Sequence, residues 1–153
     1  MEFEFKLLVV DDDEELTEII NYYLETAGIS VESVNDPKLV LAKLENGNFA
    51  ALLSDITMPG LDGLQMLTEL RSKGHELPCI FLTGNFTMER MRDAIRLGAF
   101  DFLTKPFKRE QLVTIVSRAM EVSRRERRLK TIQDSAERLH EHEMIQKLKL
   151  LTR

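Results

Sequence analysis

The chain has 153 residues, enough for one ordinary domain with a modest extension and too few for a multi-domain enzyme. Hydrophobic residues make up 43% and charged residues 31%, a balance that supports a packed core and excludes compositional disorder. The net charge of −5 is unevenly spread: residues 108–153 hold 12 Lys/Arg against 7 Asp/Glu, which leaves 9 against 19 in residues 1–107. An acidic globular part therefore precedes a basic tail.

Cys79 is the single cysteine. It excludes an intrachain disulfide and a cysteine metal cluster, and fits a reducing compartment. No apolar run approaches the ~20 residues that span a bilayer, and Met1–Phe5 lacks a basic-then-apolar leader. The expectation is a soluble cytoplasmic protein with no membrane partner.

In chain order, Phe5–Val10 is a nearly continuous apolar run that stops at Asp11, Asp12 and Asp13. Residues 14–27 then place Leu16, Ile19, Ile20, Tyr23, Leu24 and Ala27 at three- and four-residue steps, with Gly28 as a stop, which predicts a helix. Ser30–Val34 alternates in polarity and predicts a strand at a sheet edge. Asp36 and Pro37 supply a cap and a first-turn proline for a second helix, with Leu39, Val40, Ala42 and Leu44 expected inward and Asn46-Gly47 closing it.

Ala50–Ser54 is an apolar run ending at Asp55, and Leu64, Met66, Leu67 and Leu70 mark a third helix ending near Lys73-Gly74. Cys79–Leu82 ends at Thr83, and Met88, Met91, Ala94, Ile95 and Leu97 mark a fourth helix closed by Gly98. Asp101–Thr104 ends at Lys105-Pro106. Short apolar runs between helical segments suit strands buried on both faces of a parallel sheet. Five β-α repeats with right-handed crossovers predict an α/β fold, a five-stranded parallel sheet doubly wound by five helices.

The fifth helix begins near Lys108, and from Arg109 to Leu151 there is neither proline nor glycine. Leu112, Ile115, Val116, Ala119 and Met120 form a face broad enough to pack on the sheet. Beyond Val122 the apolar set thins to Leu129, Ile132, Ala136 and Leu139, spaced 3, 4 and 3 as in a coiled-coil seam. Glu143 then occupies the next seam position, and Ile145, Leu148 and Leu151 resume in another phase, so the register is expected to slip or the helix to fray there. The division expected is residues 1–122 as the globular domain and 123–153 as a helical extension, pairing through this seam into a homodimer.

In an open parallel sheet, ligands bind beyond the carboxyl ends of the strands. Asp11, Asp12, Asp13, Asp55, Thr83 and Lys105 all stand at such ends. A crowded set of carboxylates repels itself unless a cation sits among them, and an all-oxygen site with room for water suits Mg²⁺. A carboxylate beside such an ion can attack phosphorus and form an acyl phosphate. Lys105 and Thr83 can then neutralise and hydrogen-bond the transferred oxygens.

These residues also resemble a family. Val9-Val10-Asp11-Asp12, Asp55-Ile56-Thr57-Met58-Pro59-Gly60-Leu61-Asp62-Gly63, Leu82-Thr83-Gly84 and Thr104-Lys105-Pro106-Phe107 are similar, in order and spacing, to the motifs of the bacterial response-regulator receiver domain of two-component signalling. The resemblance covers roughly residues 4–122. It implies a flavodoxin-like fold, Asp55 as phosphoacceptor, and Mg²⁺ held by Asp11, Asp12, Asp55 and the backbone carbonyl of Thr57. It also implies Thr83 and Lys105 as the phosphoryl-sensing pair, Phe102 as the switch aromatic, a cis peptide bond at Lys105-Pro106, and a histidine kinase or phosphotransfer protein as partner. On this reading the chain is not an enzyme for an outside substrate and catalyses only its own aspartyl phosphorylation and dephosphorylation.

Gly84 stands where the family usually has alanine, and Phe102 lacks the hydroxyl of a tyrosine. Thr57 and Asn85 fill two positions that tune the phosphorylated state's lifetime in this family; neither is acidic, which implies a lifetime of minutes or more. Asp13 is read as a helix cap, His75, His140 and His142 as surface residues, Cys79 as a core residue, and Met88 and Met91 as core filler. An aspartyl phosphatase would need a cap domain that this length does not provide. A DNA-binding or other effector regulator acting through the basic tail is the alternative, although Arg124–Arg128 is followed by no recognition helix and nucleic acid is not the expected partner.

Overall fold

The computed structural model describes residues 5–85 and 87–152. The elements alternate as the sequence predicts: β1 (Lys6–Val10), α1 (Glu14–Glu25), β2 (Val31–Val34), a 3₁₀ turn (Pro37–Leu39) leading into α2 (Val40–Asn46), β3 (Phe49–Asp55), α3 (Gly63–Ser72), β4 (Cys79–Thr83), α4 (Met88–Arg96), β5 (Asp101–Thr104) and α5 (Arg109–Leu151). The five strands form one parallel sheet in the order β2-β1-β3-β4-β5. The alternating β2 run is indeed an edge. The chain divides into two compact units, Met1–Ser123 and Arg124–Arg153, with α5 contributing its first turns to the former and the remainder to the latter.

Burial on both faces explains the continuous apolar strands. Leu7, Val9, Leu53, Ile80 and Leu82 point to one side, where α1 residues Ile20 and Leu24 and α5 residues Leu112, Val116 and Ala119 cover them. Leu8, Val10, Leu52, Cys79 and Phe81 point to the other, under Val40, Met66, Leu67, Leu70 and Ala94. Capping fixes where the helices begin. The Asp13 carboxylate accepts from the Leu16 amide, and Asp62 and Gln65 form a reciprocal capping box at α3.

Several inward assignments do not hold. Leu39 and Ala42 face out, because the second helix opens as a tighter 3₁₀ turn that rotates its face and leaves Val40, with Leu41 and Leu44, against the sheet. Ile19 is exposed on α1. On α4 the buried residue is Ala94; Met88 at 62% exposure is not core filler, Met91 is half-buried, and Ile95 is 59% exposed. The tail helix does not fray at Glu143 but continues to Leu151.

Candidate functional site

Strand register assembles the site. Val10 pairs with Ser54, Asp55 with Leu82, and Thr83 with Thr104. Asp11, Asp55, Thr83 and Lys105 therefore all leave their strands at the same edge of the sheet. Three features hold the loop after β3 close beneath: the Ile56 amide donates to the Leu82 carbonyl at 3.0 Å, the Gly63 amide donates to the Ile56 carbonyl at 2.9 Å, and Gly63 itself carries no side chain. A Cβ on Gly63 would lie 2.7 Å from the Asp55 carbonyl oxygen and 2.9 Å from the Phe81 ring.

Asp11, Asp12 and Asp55 each direct a carboxylate oxygen to one place, the three oxygens lying within 4.8 Å of one another. Asp11 is buried, at 1% exposure, and Asp12 is exposed. Lys105 enters from β5, its Nζ 2.8 Å from Asp55 Oδ2 and 3.6 Å from Asp11 Oδ2. The other Asp55 oxygen, Oδ1, accepts from the Thr57 amide at 3.0 Å. The Lys105–Pro106 peptide bond is cis, as the family resemblance implies.

The electrostatics follow from burial. Loss of solvent pushes the Asp11 carboxyl above its usual range, and the charges of Asp55 and Asp12 add to this. The Asp13 amide and the Lys105 ammonium oppose the shift without cancelling it. Burial alone would lower Lys105, but its hydrogen bond to Asp55 and the Asp11 and Asp55 charges outweigh that and raise it. Asp11 Oδ1 accepts from the Asp13 amide at 2.9 Å, whereas the buried Oδ2 accepts no hydrogen bond from the described residues. A buried carboxylate oxygen without a donor is costly, and here it faces two further carboxylates. Hard divalent cations such as Mg²⁺ fit that all-oxygen donor set.

The remaining residues differ in how far they meet the site. Thr83 is buried, but its hydroxyl donates to the Asn85 carbonyl at 3.0 Å rather than to a carboxylate. Phe102 is half-buried, its ring centroid 6.3 Å from that of Phe81. Leu129, Ile132, Ala136 and Leu139 lie in the second unit, exposed on the helix surface. One residue escaped sequence reasoning: Arg90 on α4, whose Nη2 donates to the Ile56 carbonyl at 3.2 Å and lies 3.7 Å from Asp62 Oδ2. In the sequence it is one arginine of three on a polar helix face.

The response regulator receiver domain family matches residues 7–117. The chain belongs to this family. Among relatives, this receiver is 32% identical over 114 residues to the transcriptional regulatory protein FixJ of Bradyrhizobium diazoefficiens, an alignment covering 74% of the chain and 56% of FixJ. It is 28% identical over 151 residues to the response regulator protein TodT of Pseudomonas putida, covering 96% of the chain and 66% of TodT. The receiver thus spans about half to two thirds of these longer relatives. The crystal structure of the NtrX receiver domain from Brucella abortus superposes with a TM-score of 0.70 at 33% identity, covering 76% of this chain and 98% of that one. No helix among the described residues is long and apolar enough to cross a membrane.

Proposed function

We propose that Asp55 accepts a phosphoryl group from a histidine kinase or phosphotransfer protein, and that the receiver converts this event into a change of conformation and dimer state. The observation that carries the reading is the Asp55 carboxylate at the end of β3. It sits among two further carboxylates and a lysine 2.8 Å away, in a chain whose family supplies such switches. Asp11, Asp12, Asp55 and the Thr57 carbonyl would hold Mg²⁺, which when bound offsets the negative charge of the phosphoryl oxygens.

The chain's own groups supply positioning. The Thr57 amide orients Asp55 through Oδ1 and Lys105 through Oδ2, so the carboxylate is fixed before the donor arrives. A carboxylate oxygen forms the new O–P bond as the N–P bond of the donor phosphohistidine breaks, and the imidazole leaves with the electron pair and takes up a proton. Lys105 then exchanges a carboxylate for a phosphoryl oxygen. Thr83 leaves the Asn85 carbonyl to donate to another, and Phe102 repacks toward the space Thr83 vacates. Neither Thr57 nor Asn85 offers a base for hydrolysis, which supports a phosphorylated state lasting minutes or more. The chemistry is confined to this self-modification, in a cytoplasmic setting.

Output is proposed to pass through the tail. Leu129, Ile132 and Leu139 are 67%, 65% and 61% exposed, apolar side chains at seam spacing that a second copy of the helix would cover. The deciding experiment is intact mass after treatment with acetyl phosphate and Mg²⁺. One added phosphoryl group is expected on the wild type and none on Asp55→Asn; equal labelling of the two overturns the assignment.

A further inference from the structure

We propose that Arg90 is a positioning residue that latches the receiver in its resting state, and that its release is a condition for the inward movement of Thr83 and Phe102. The inference rests on the phosphoacceptor reading and extends it to a residue outside the motifs that define the family resemblance.

Arg90 lies in the opening turns of α4, its backbone amide donating to the N-cap hydroxyl of Thr87 at 3.3 Å. Its side chain runs back to the loop that follows Asp55. There Nη2 donates to the Ile56 carbonyl at 3.2 Å and stands 3.7 Å from the carboxylate of Asp62, the N-cap of α3. One guanidinium thus ties the start of α4 to the residue next to the phosphoacceptor and to the start of α3. The sequence separation between Arg90 and Ile56 is 34 residues, so the tie joins two loops that nothing local would hold together.

The same side chain occupies the switch path. A cavity bounded by Ile56, Thr83, Asn85, Thr87, Arg90 and Met91, with Phe102 on its wall, retains only about 10 Å³ of free space. That is room for roughly one water molecule and far too little for a phenyl ring. Close-packed interiors do not yield such volume without displacing something. Among the described lining residues, Arg90 and Met91 are the long, partly exposed ones; Arg90, with 36% side-chain exposure, carries a charge that water solvates, so it is the one that can leave toward solvent. On this proposal the space that Thr83 vacates admits the Phe102 ring only once Arg90 has swung out.

The fastening is also incomplete. Nη2 carries both contacts, while the buried Nε has no hydrogen-bond acceptor among the described residues. An unsatisfied buried N–H offsets part of what the other bonds contribute. A guanidinium fastened at one nitrogen only is a tie that a single added group can release, as a two-state switch requires.

The test is by solution NMR on the full chain. The backbone amides of Thr83 and Gly84 and the ring of Phe102 are followed with and without Mg²⁺ and beryllofluoride, in wild type, Arg90→Ala and Arg90→Met. Wild type is expected to move between two end points. Without beryllofluoride, Arg90→Ala should lie part-way along the line joining them, with an activated population about fivefold above wild type. That lies below the roughly tenfold or more of a buried hydrogen bond to a charged donor, because this donor is one-third exposed. Arg90→Met, which keeps the stem volume but loses the tether, should fall between the two and guards against a fold too damaged to read. If both variants rest at the wild-type position while wild type responds to beryllofluoride, the latch is wrong and the phosphoacceptor reading stands. Shifts that leave the line, accompanied by lost thermal stability, mean an ordinary structural role and also overturn it. A wild type that does not respond at all removes the phosphoacceptor reading and the latch with it.

Discussion

Lys105 Nζ and Asp55 Oδ2 are 2.8 Å apart although 50 residues separate them in the chain. The ammonium lies within hydrogen-bonding range of the nucleophilic carboxylate before any phosphoryl group is present, which makes Lys105 both an orienting group for Asp55 and the group that must later follow the phosphoryl oxygens. Lys105→Met keeps the stem and removes the charge. It is expected to slow labelling by acetyl phosphate about tenfold or more and to abolish the shift of the Thr83 and Phe102 resonances that beryllofluoride induces. Labelling and resonance shift both equal to wild type would show that the lysine is dispensable.

Asp11 contributes a pH dependence to the metal-free fold. Its carboxyl is raised above 3.8 in the folded state, so the native protein holds that proton more tightly than the unfolded chain does. Stability from this group is fully present below pH 3.8 and is lost as pH rises through the folded value. At neutral pH the site is left with a buried charge. Asp11→Asn should accordingly be more stable than wild type at pH 7 in chelator, with the gap closing as pH falls toward 3.8. Adding Mg²⁺ should raise the melting temperature of wild type and not of the variant. Urea titrations at several pH values measure this; a variant less stable than wild type at pH 7 contradicts it.

Two glycines beside the site differ in what they tolerate. At Gly63 an added methyl would press on the Asp55 carbonyl oxygen, the Phe81 ring and the Ile56 Cα, all within 3.0 Å. Two of these atoms are backbone, so the loop carrying Asp55 must shift. Gly63→Ala is expected to cost about 1–3 kcal/mol and to lower the rate of phosphoryl uptake. At Gly84 nothing among the described residues lies within 4 Å of the added carbon, and Gly84→Ala should stay within about 0.5 kcal/mol of wild type. Denaturation midpoints of the pair decide whether crowding, rather than glycine as such, governs each position.

The sheet and the acidic cup were legible because the central strands β1, β3 and β4 are apolar runs buried on both faces, and polar residues mark where those strands and β5 end. Asp11, Asp55, Thr83 and Lys105 are those residues. The helices were less legible where one short turn decides the facing. The 3₁₀ turn at Pro37–Leu39 sends Leu39 outward, and within α4 only Ala94 is fully buried, so Met88 and Ile95 obey helical spacing without being buried. Arg90 was invisible for a different reason. Its significance lies in the Ile56 carbonyl it reaches, and backbone acceptors leave no mark in a sequence. The same holds for Thr83, whose resting partner is the Asn85 carbonyl.

The tail makes the last prediction. Leu129, Ile132 and Leu139 expose most of their surface, and an isolated helix with such a seam gains by burying it against a copy of itself, at roughly 25 cal/mol for each Å² of apolar area removed from water. Three large side chains and Ala136 make a short seam. Beyond it Glu143 breaks the phase, and Ile145, Leu148 and Leu151 start another, so the association should be modest and sensitive to single changes. Sedimentation at tens of micromolar, with Mg²⁺ and beryllofluoride present, is expected to show a wild-type dimer. Ile132→Glu places a charge in the seam and should give a monomer whose labelling at Asp55 is unchanged, because the seam and the acidic cup lie in different units. A wild-type monomer under these conditions rules out pairing through the tail while leaving phosphoryl acceptance untouched.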